Sequence, residues 1–172
     1  NYTDNPWFPD VLEQTRLEDK EKRPDVYSHI WMGDFLIYAE GSYYSAEMRR
    51  AKEEERIKTV RYDRGKGVVV AFDLGVGDST AMWFAQFIGT EVHLIDYYEA
   101  SGVGLDHYVK VLQDKEYIYD QYIFPHDIRV RELGSGKSRL ETLEGMGIRA
   151  DKTEIAPQLL IEDGIQKVRE ML

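Results

Sequence analysis

The chain of 172 residues contains no cysteine. Disulfides, thiolate zinc sites and cysteine nucleophiles are thereby excluded, and the absence agrees with a reducing interior. Any metal must be held by oxygen or imidazole donors, and histidine is scarce, at four residues. No apolar run approaches the ~20 residues needed to cross a bilayer, and nothing at the start reads as a secretion signal, so the expectation is a soluble protein without a visible address. Positive charge is also short: 22 Lys and Arg stand against 32 Asp and Glu, a formal charge of −10. That balance argues against tight nucleic-acid binding by this chain alone, because phosphate affinity comes mainly from Lys and Arg displacing counterions. A starting methionine is missing as well, which is read as the mark of a fragment of something longer.

What is present is globular in composition. Apolar residues make up 42% and charged residues 31%, with twelve tyrosines and three tryptophans, enough to build one core.

From residue 1 to about 66 the sequence is segmented and charge-rich. Short helices are expected over 9–19 and 24–31, each opened by a proline where its missing N–H does no harm. A short strand is expected over 35–38. Ser45 is expected to cap a helix running to about residue 56. Residues 1–66 therefore read as an arm or linker, and 67–172 as the folded domain. Residues 68–74 are an uninterrupted apolar run ending on a carboxylate, the pattern of a central strand buried on both faces. Residues 80–88 and 91–98 are two further β-rich runs joined at Gly89-Thr90, a hairpin connection. Leu105, Tyr108, Val109 and Leu112 have helical spacing over 104–115, and a strand follows over 117–124. A helix between strands implies a crossover to a parallel neighbour. A short helix over 138–146, a strand over 148–155 and an amphipathic helix from 161 complete the pass. Three antiparallel strands, a crossover helix and a parallel fourth strand predict an α/β fold with the mixed sheet of ribonuclease H-like domains, flanked by helices.

Two aspartates stand where chemistry is expected. Asp73 ends the first core strand, and glycines release the chain after it; the carboxyl edge of an open α/β sheet is where ligands bind. Asp127 follows the fourth strand, which should lie beside the first. Strand neighbours sit ~4.8 Å apart, so carboxylates at adjacent ends can share a hard divalent ion, Mg²⁺ or Mn²⁺. Two such ions would suit phosphodiester hydrolysis. The plainer reading of each aspartate is a turn or cap residue. Asp78, in the loop that starts at Asp73, is a further candidate ligand. Asp96 reads as a structural or supporting residue, and His126 as a packing residue or a partner of Asp127.

Two other patterns attract nucleotide readings. Gly134-Ser135-Gly136-Lys137-Ser138 resembles the end of a phosphate-binding loop, but the full pattern needs glycine where Arg131 stands. It reads instead as a flexible loop and helix cap, with Lys137 and Arg139 free for DNA phosphates. Asp73-Leu74-Gly75 with Thr80 resembles the phosphate loop of actin-like ATPases, which close a second, duplicated domain over the nucleotide.

Several short segments in order resemble one family, the large subunits of tailed-phage terminases. Asn5-Pro6-Trp7-Phe8 and Tyr27-Ser28-His29-Ile30-Trp31-Met32-Gly33 resemble the segment joining the ATPase motor to the nuclease. Phe72-Asp73-Leu74-Gly75 and Asp78-Ser79-Thr80-Ala81 look like the first nuclease motif. Ile95-Asp96-Tyr97-Tyr98-Glu99, Gly104-Leu105-Asp106-His107-Tyr108, Pro125-His126-Asp127, Arg131-Glu132-Leu133 and Gly136-Lys137-Ser138-Arg139 continue in the family's order. The resemblance implies a metal-dependent endonuclease that cuts concatemeric double-stranded DNA during packaging. It also implies Asp73 and Asp127 as the first two metal ligands, an ATPase domain in cis, portal protein and small subunit as partners, and the cytoplasm of a bacterial host as location, for a phage or prophage protein. The family's third carboxylate, in a motif like Ser-His-x-x-Asp-Ala, does not occur before Leu172, which is read as truncation at the C-terminus. A domain incomplete in this way would act as a docking module without cutting.

Overall fold

The computed structural model of the chain describes residues 1–34, 42–75 and 79–172. The strand expected over 35–38 lies outside the described residues. In chain order the regular elements are α1 (Asp10–Lys22), α2 (Pro24–Tyr27), α3 (Ser45–Glu53), β1 (Val68–Asp73), β2 (Thr80–Ile88), β3 (Glu91–Ala100), α4 (Leu105–Asp114), β4 (Tyr119–Phe124), α5 (Arg139–Gly145), β5 (Thr153–Ile155) and α6 (Ile161–Met171). None of the described helices is long and apolar enough to cross a membrane. Two compact units form: Asn1–Lys58 with Leu160–Leu172, and Thr59–Leu159.

The first unit is held by polar side chains as much as by apolar ones. α1 has acidic residues in its first turn and lysines in its last, which complements the helix dipole. Its Arg16 is buried, with two guanidinium nitrogens donating to Glu13 at 2.7 and 2.6 Å and a third bond to the Tyr27 hydroxyl. Asp19, one turn on, accepts from the Trp31 indole N–H at 3.1 Å. Phe8 meets the Trp31 ring edge-on. Ser45 is the first residue of α3 instead of its cap; Tyr44 holds the cap position, and the helix stops at Glu53, where Glu55 turns left-handed with φ 55°.

The second unit carries the sheet, in the order β3-β2-β1-β4-β5. β1, β2 and β3 pair antiparallel, β4 lies parallel to β1, and β5 parallel to β4. This is the expected α/β arrangement, with the mixed sheet of a ribonuclease H-like domain flanked by helices. β1 is central, but it is fully buried on one face only: Val68, Val70 and Phe72 point into the core, while Val69 and Ala71 are half-covered. The uninterrupted apolar run predicts more cover than the second face receives, because apolar identity does not report which face a helix reaches. Tyr108, Val109 and Leu112 of α4 and Leu143 of α5 pack on the first face against Met82, Phe84 and Phe124. On the second face Trp83, Phe87, Leu94 and Tyr97 are exposed.

Two glycines shape the strand ends. Gly89 turns the β2–β3 hairpin at φ 64°, where an L side chain would be strained. A Cβ on Gly67 would sit 2.4 Å from the Cβ of Asp120, so only glycine lets the start of β1 approach β4. The strand expected over 148–155 is shortened to Thr153–Ile155, because a 3₁₀ turn at Ala150–Lys152 intervenes and Arg149 clamps Asp151 at 3.0 and 2.6 Å.

Gln86 is the polar residue most enclosed by this unit. Its side chain is fully buried; its carbonyl accepts from the Asp63 N–H, and its amide donates to the carbonyls of Asp63 and Lys66, all at 2.9 Å. One amide thus serves the backbone of the 63–66 turn, whose Asp63 carbonyl also accepts from the Lys66 N–H at 3.1 Å. Gln86→Leu should lower unfolding free energy by about 2 kcal/mol, since the Asp63 N–H and the Lys66 carbonyl lose their partner at once. A urea denaturation midpoint equal to that of the natural chain would refute this role.

Candidate metal-binding edge of the sheet

Asp73 and Asp127 lie at the carboxyl ends of neighbouring parallel strands. The β1–β4 register pairs Val70 with Tyr122 and Ala71 with Ile123. One step further the rings of Phe72 and Phe124 stack at 4.6 Å, both buried. Asp73 follows Phe72 directly and, by alternation, belongs to the opposite face, where it is exposed. Asp127 lies three residues beyond Phe124, in a 3₁₀ turn over His126–Arg129. Pro125 ends β4, and Ile128 inserts fully into the core. With Ile128 as anchor, His126, Asp127 and Arg129 all remain exposed at the edge.

Asp78 lies outside the described residues. Among the described residues no cluster of three or more His, Asp or Glu side chains is arranged to hold a metal. The donors that are brought to one edge are hard oxygen ligands, which fit Mg²⁺ or Mn²⁺ in kind, and two are fewer than an ion of that type needs from protein and water together.

A third carboxylate shares the face of Asp73. In the strand register Asp73 faces Ala81, and Ala81 faces Glu99. Two strand spacings put Asp73 and Glu99 about 9–10 Å apart across the small Ala81 side chain. The Tyr97 hydroxyl donates to Glu99 at 2.6 Å. That bond, then partial burial, then the charges of Glu99 and Asp73 push the Tyr97 phenol above its ordinary range. Glu99 was not singled out from sequence as a site residue, because its face depends on a β-bulge between Phe84 and Ala85 that alternation alone does not reveal.

Asp96 faces the other way. It pairs with Phe84, forms an ion pair with Lys115 and accepts from the Tyr117 hydroxyl at 3.2 Å. The Lys115 ammonium also lies 5.0 Å from the centre of the Phe84 ring. Asp96 is therefore a structural link between β3 and the turn after α4. His126 makes no hydrogen bond or ion pair with Asp127.

The loop after Asp127 is ordered by its own hydrogen bonds. Arg131 and Ser138 form a bridge, the Glu132 N–H donates to the Lys137 carbonyl at 2.9 Å, and the Gly136 N–H donates to the Glu132 carbonyl at 2.8 Å. Ser138 caps α5 in a reciprocal capping box with Glu141. The cap is the one expected, but the loop is a hairpin, and its Gly136 and Lys137 N–H groups are already spent on Glu132 and the Ser135 hydroxyl. They are not available to cradle phosphate, which removes the nucleotide reading there. Nor is Arg139 free, since it pairs with Glu132 at 3.5 Å. Leu74, Gly75 and Thr80 on one side and Glu132, Arg139 and Thr142 on the other line a cleft of about 350 Å³.

No protein-family model matches the chain, and no curated protein matches it. Solved structures similar to it include two of the large terminase of a thermophilic bacteriophage, both in the same crystal form and one of them in complex with ADP. For each the identity is 17%, the TM-score is 0.49, and the match covers 66% of this chain and 28% of the terminase. The chain thus matches less than a third of the length of those proteins.

The Asp96 cluster sets a pH dependence. Burial opposes ionisation, yet the Lys115 ammonium and the Tyr97 N–H hold the Asp96 carboxyl below its ordinary range. A depressed native pKa means that the contribution is fully present above the ordinary carboxylate pKa of about 3.9 and is lost as pH falls through the lower native value. Asp96→Asn should lower stability at pH 7 by about 1–2 kcal/mol and flatten the acid limb of stability against pH. An unchanged acid limb in thermal melts would show that the link contributes nothing.

Proposed function

We propose that this chain belongs to a phage terminase large subunit and forms its metal-dependent DNA-cutting domain. The observation that carries the reading is the parallel pairing of β1 with β4, which gives Asp73 and Asp127 one common edge. The order of the motifs from Asn5 to Arg139 supports the same reading, with Phe72-Asp73-Leu74-Gly75 and Pro125-His126-Asp127 opening the two carboxylate positions.

Asp73 and Asp127 would hold Mg²⁺ or Mn²⁺, with Asp78 as a further ligand. A divalent cation there would polarise the phosphodiester and stabilise charge on the leaving oxygen. The chain's own contribution is placement: Phe72 and Phe124 fix the two strand ends, and Ile128 fixes the turn that presents Asp127. The Arg129 and Lys137 side chains would meet backbone phosphates, which the acidic chain otherwise repels. The substrate is double-stranded concatemeric DNA, with a terminase ATPase domain in cis, portal protein and small subunit as partners, in the cytoplasm of a bacterial host.

A second reading has its own support. Among the described residues no group of three or more His, Asp or Glu donors forms; a domain left with two carboxylates would dock packaging proteins without cutting.

Plasmid nicking by the parent polypeptide in Mn²⁺ separates the two. Asp73→Ala and Asp127→Ala should each lower nicking by about 100-fold or more, and should abolish the rise in melting temperature that Mn²⁺ gives the unaltered protein. Undiminished cleavage by both variants would refute the assigned site; no cleavage by any version, with no Mn²⁺ shift, would favour the docking module.

A further inference from the structure

Residues 129–139 reverse the charge of the chain around them. They hold four cations, Arg129, Arg131, Lys137 and Arg139, against one carboxylate, Glu132, in a protein of formal charge −10. The cations divide into two kinds. Arg131 donates to the Gly136 carbonyl at 2.8 Å and pairs with Glu141 at 3.3 Å, while Arg139 pairs with Glu132 at 3.5 Å. These two are internal braces. Arg129 and Lys137 are exposed, and neither forms an ion pair among the described residues.

At the far end of the braced hairpin stands Leu133, fully exposed, with Val130 also largely exposed at its base. A loose loop could fold such a side chain back onto the protein. This one is held by the Arg131–Ser138 bridge, the Glu132–Lys137 and Gly136–Glu132 hydrogen bonds and the capping box at Ser138. Leucine is thus presented outward on a fixed support, with Lys137 in the same hairpin and Arg129 in the turn that leads into it.

The hairpin also starts at the right place. It leaves the sheet just after the turn that carries Asp127, and its Glu132 and Arg139 line a cleft with Leu74, Gly75 and Tyr108 on the α4 side of the sheet, whereas Asp73 faces the other side. A duplex seated at the Asp127 end of the carboxylate edge would therefore lie against this element. Proteins that insert an apolar side chain between base steps flank it with cations on the neighbouring phosphates, since the inserted group alone provides no charge attraction.

We propose that the 130–138 hairpin is a DNA-engaging finger, in which Leu133 wedges into the minor groove while Arg129 and Lys137 neutralise the flanking phosphates. The proposal rests on the reading that this chain acts on double-stranded DNA, but not on Asp73 and Asp127 being metal ligands. The finger resolves the charge conflict locally, so the net charge of the chain does not set its affinity.

Binding is measured by fluorescence anisotropy on a short labelled duplex, with Ca²⁺ in place of Mg²⁺ to hold back cleavage, and base unstacking by 2-aminopurine fluorescence in the same duplex. Lys137→Glu should weaken binding about tenfold and reduce the slope of log K against log salt by about one. Leu133→Ser should weaken it by about threefold or more with the slope unchanged, and should remove the rise in 2-aminopurine signal. Lys110→Glu, an equal charge change at an exposed position of α4, should stay within about twofold of the unaltered chain. Since all three variants leave the braces Arg131 and Arg139 intact, melting temperatures should coincide. Equal weakening by Lys110→Glu and Lys137→Glu, or binding by Leu133→Ser with an undiminished unstacking signal, would overturn the finger. The two readings fail separately: loss of cutting in Asp73→Ala with normal binding by the hairpin variants condemns the finger alone, whereas hairpin-dependent binding with cutting unaffected by Asp73→Ala condemns the metal site alone.

Discussion

Every candidate role in this protein passes through the parallel contact between β1 and β4. Parallel strands cannot be joined by a tight turn, and the chain between them must form β2, β3 and α4 before β4 can arrive beside β1. The contact is closed by the Phe72–Phe124 stack and by the approach that Gly67 permits against Asp120. Without it Asp73 and Asp127 would not share an edge. Any site built on the two is thus a product of long-range packing and depends on the core beneath it.

That core was legible in the sequence where a periodicity is uninterrupted. β2 runs over the 80–88 expected for it, and α4 shows its Tyr108, Val109 and Leu112 stripe, because alternation and helical spacing are local properties of the chain. The placement of Asp73 and Asp127 at the ends of neighbouring strands was legible for a related reason: both strands end on visible breakers, glycine after Asp73 and proline before Asp127. What was not legible depends on partners distant in sequence. Nothing in Gln86 announces that it serves the backbone of the 63–66 turn, and nothing in 91–100 announces the bulge that puts Tyr97 and Glu99 on the face of Asp73. The strand expected over 148–155 is shortened for a local reason of the opposite kind: a 3₁₀ turn with the Arg149–Asp151 ion pair occupies the first part of a stretch whose apolar content favours extension.

The open face of the sheet carries a related lesson about composition. The Trp83 and Tyr97 rings meet at 4.5 Å, tilted by 49°, on the side away from α4 and α5, the face that also carries Phe87 and Leu94. Their apolar identity reads as core, yet burial is decided by which face a helix covers. The same ambiguity made β1 look buried on both sides. Apolar runs identify strands more securely than they identify the inside of a protein.

Charge follows the same rule. A formal charge of −10 suggests a protein that avoids polyanions, and a count of Lys and Arg near Asp127 suggests the reverse; neither number describes what a phosphate would meet. Arg131 and Arg139 are consumed in bracing, so their charges are balanced within a few ångströms by Glu141 and Glu132. Screening shortens the reach of the remaining exposed charges to about 8–10 Å at ordinary ionic strength, so carboxylates farther away than that act only weakly on a duplex at this edge. On the proposed reading, a phosphate at this edge would meet Asp73 and Asp127, which repel it unless a cation intervenes, and Arg129 and Lys137, which attract it. Specific placement of two cations would then outweigh a much larger number of dispersed carboxylates, provided that the hairpin holding them does not yield.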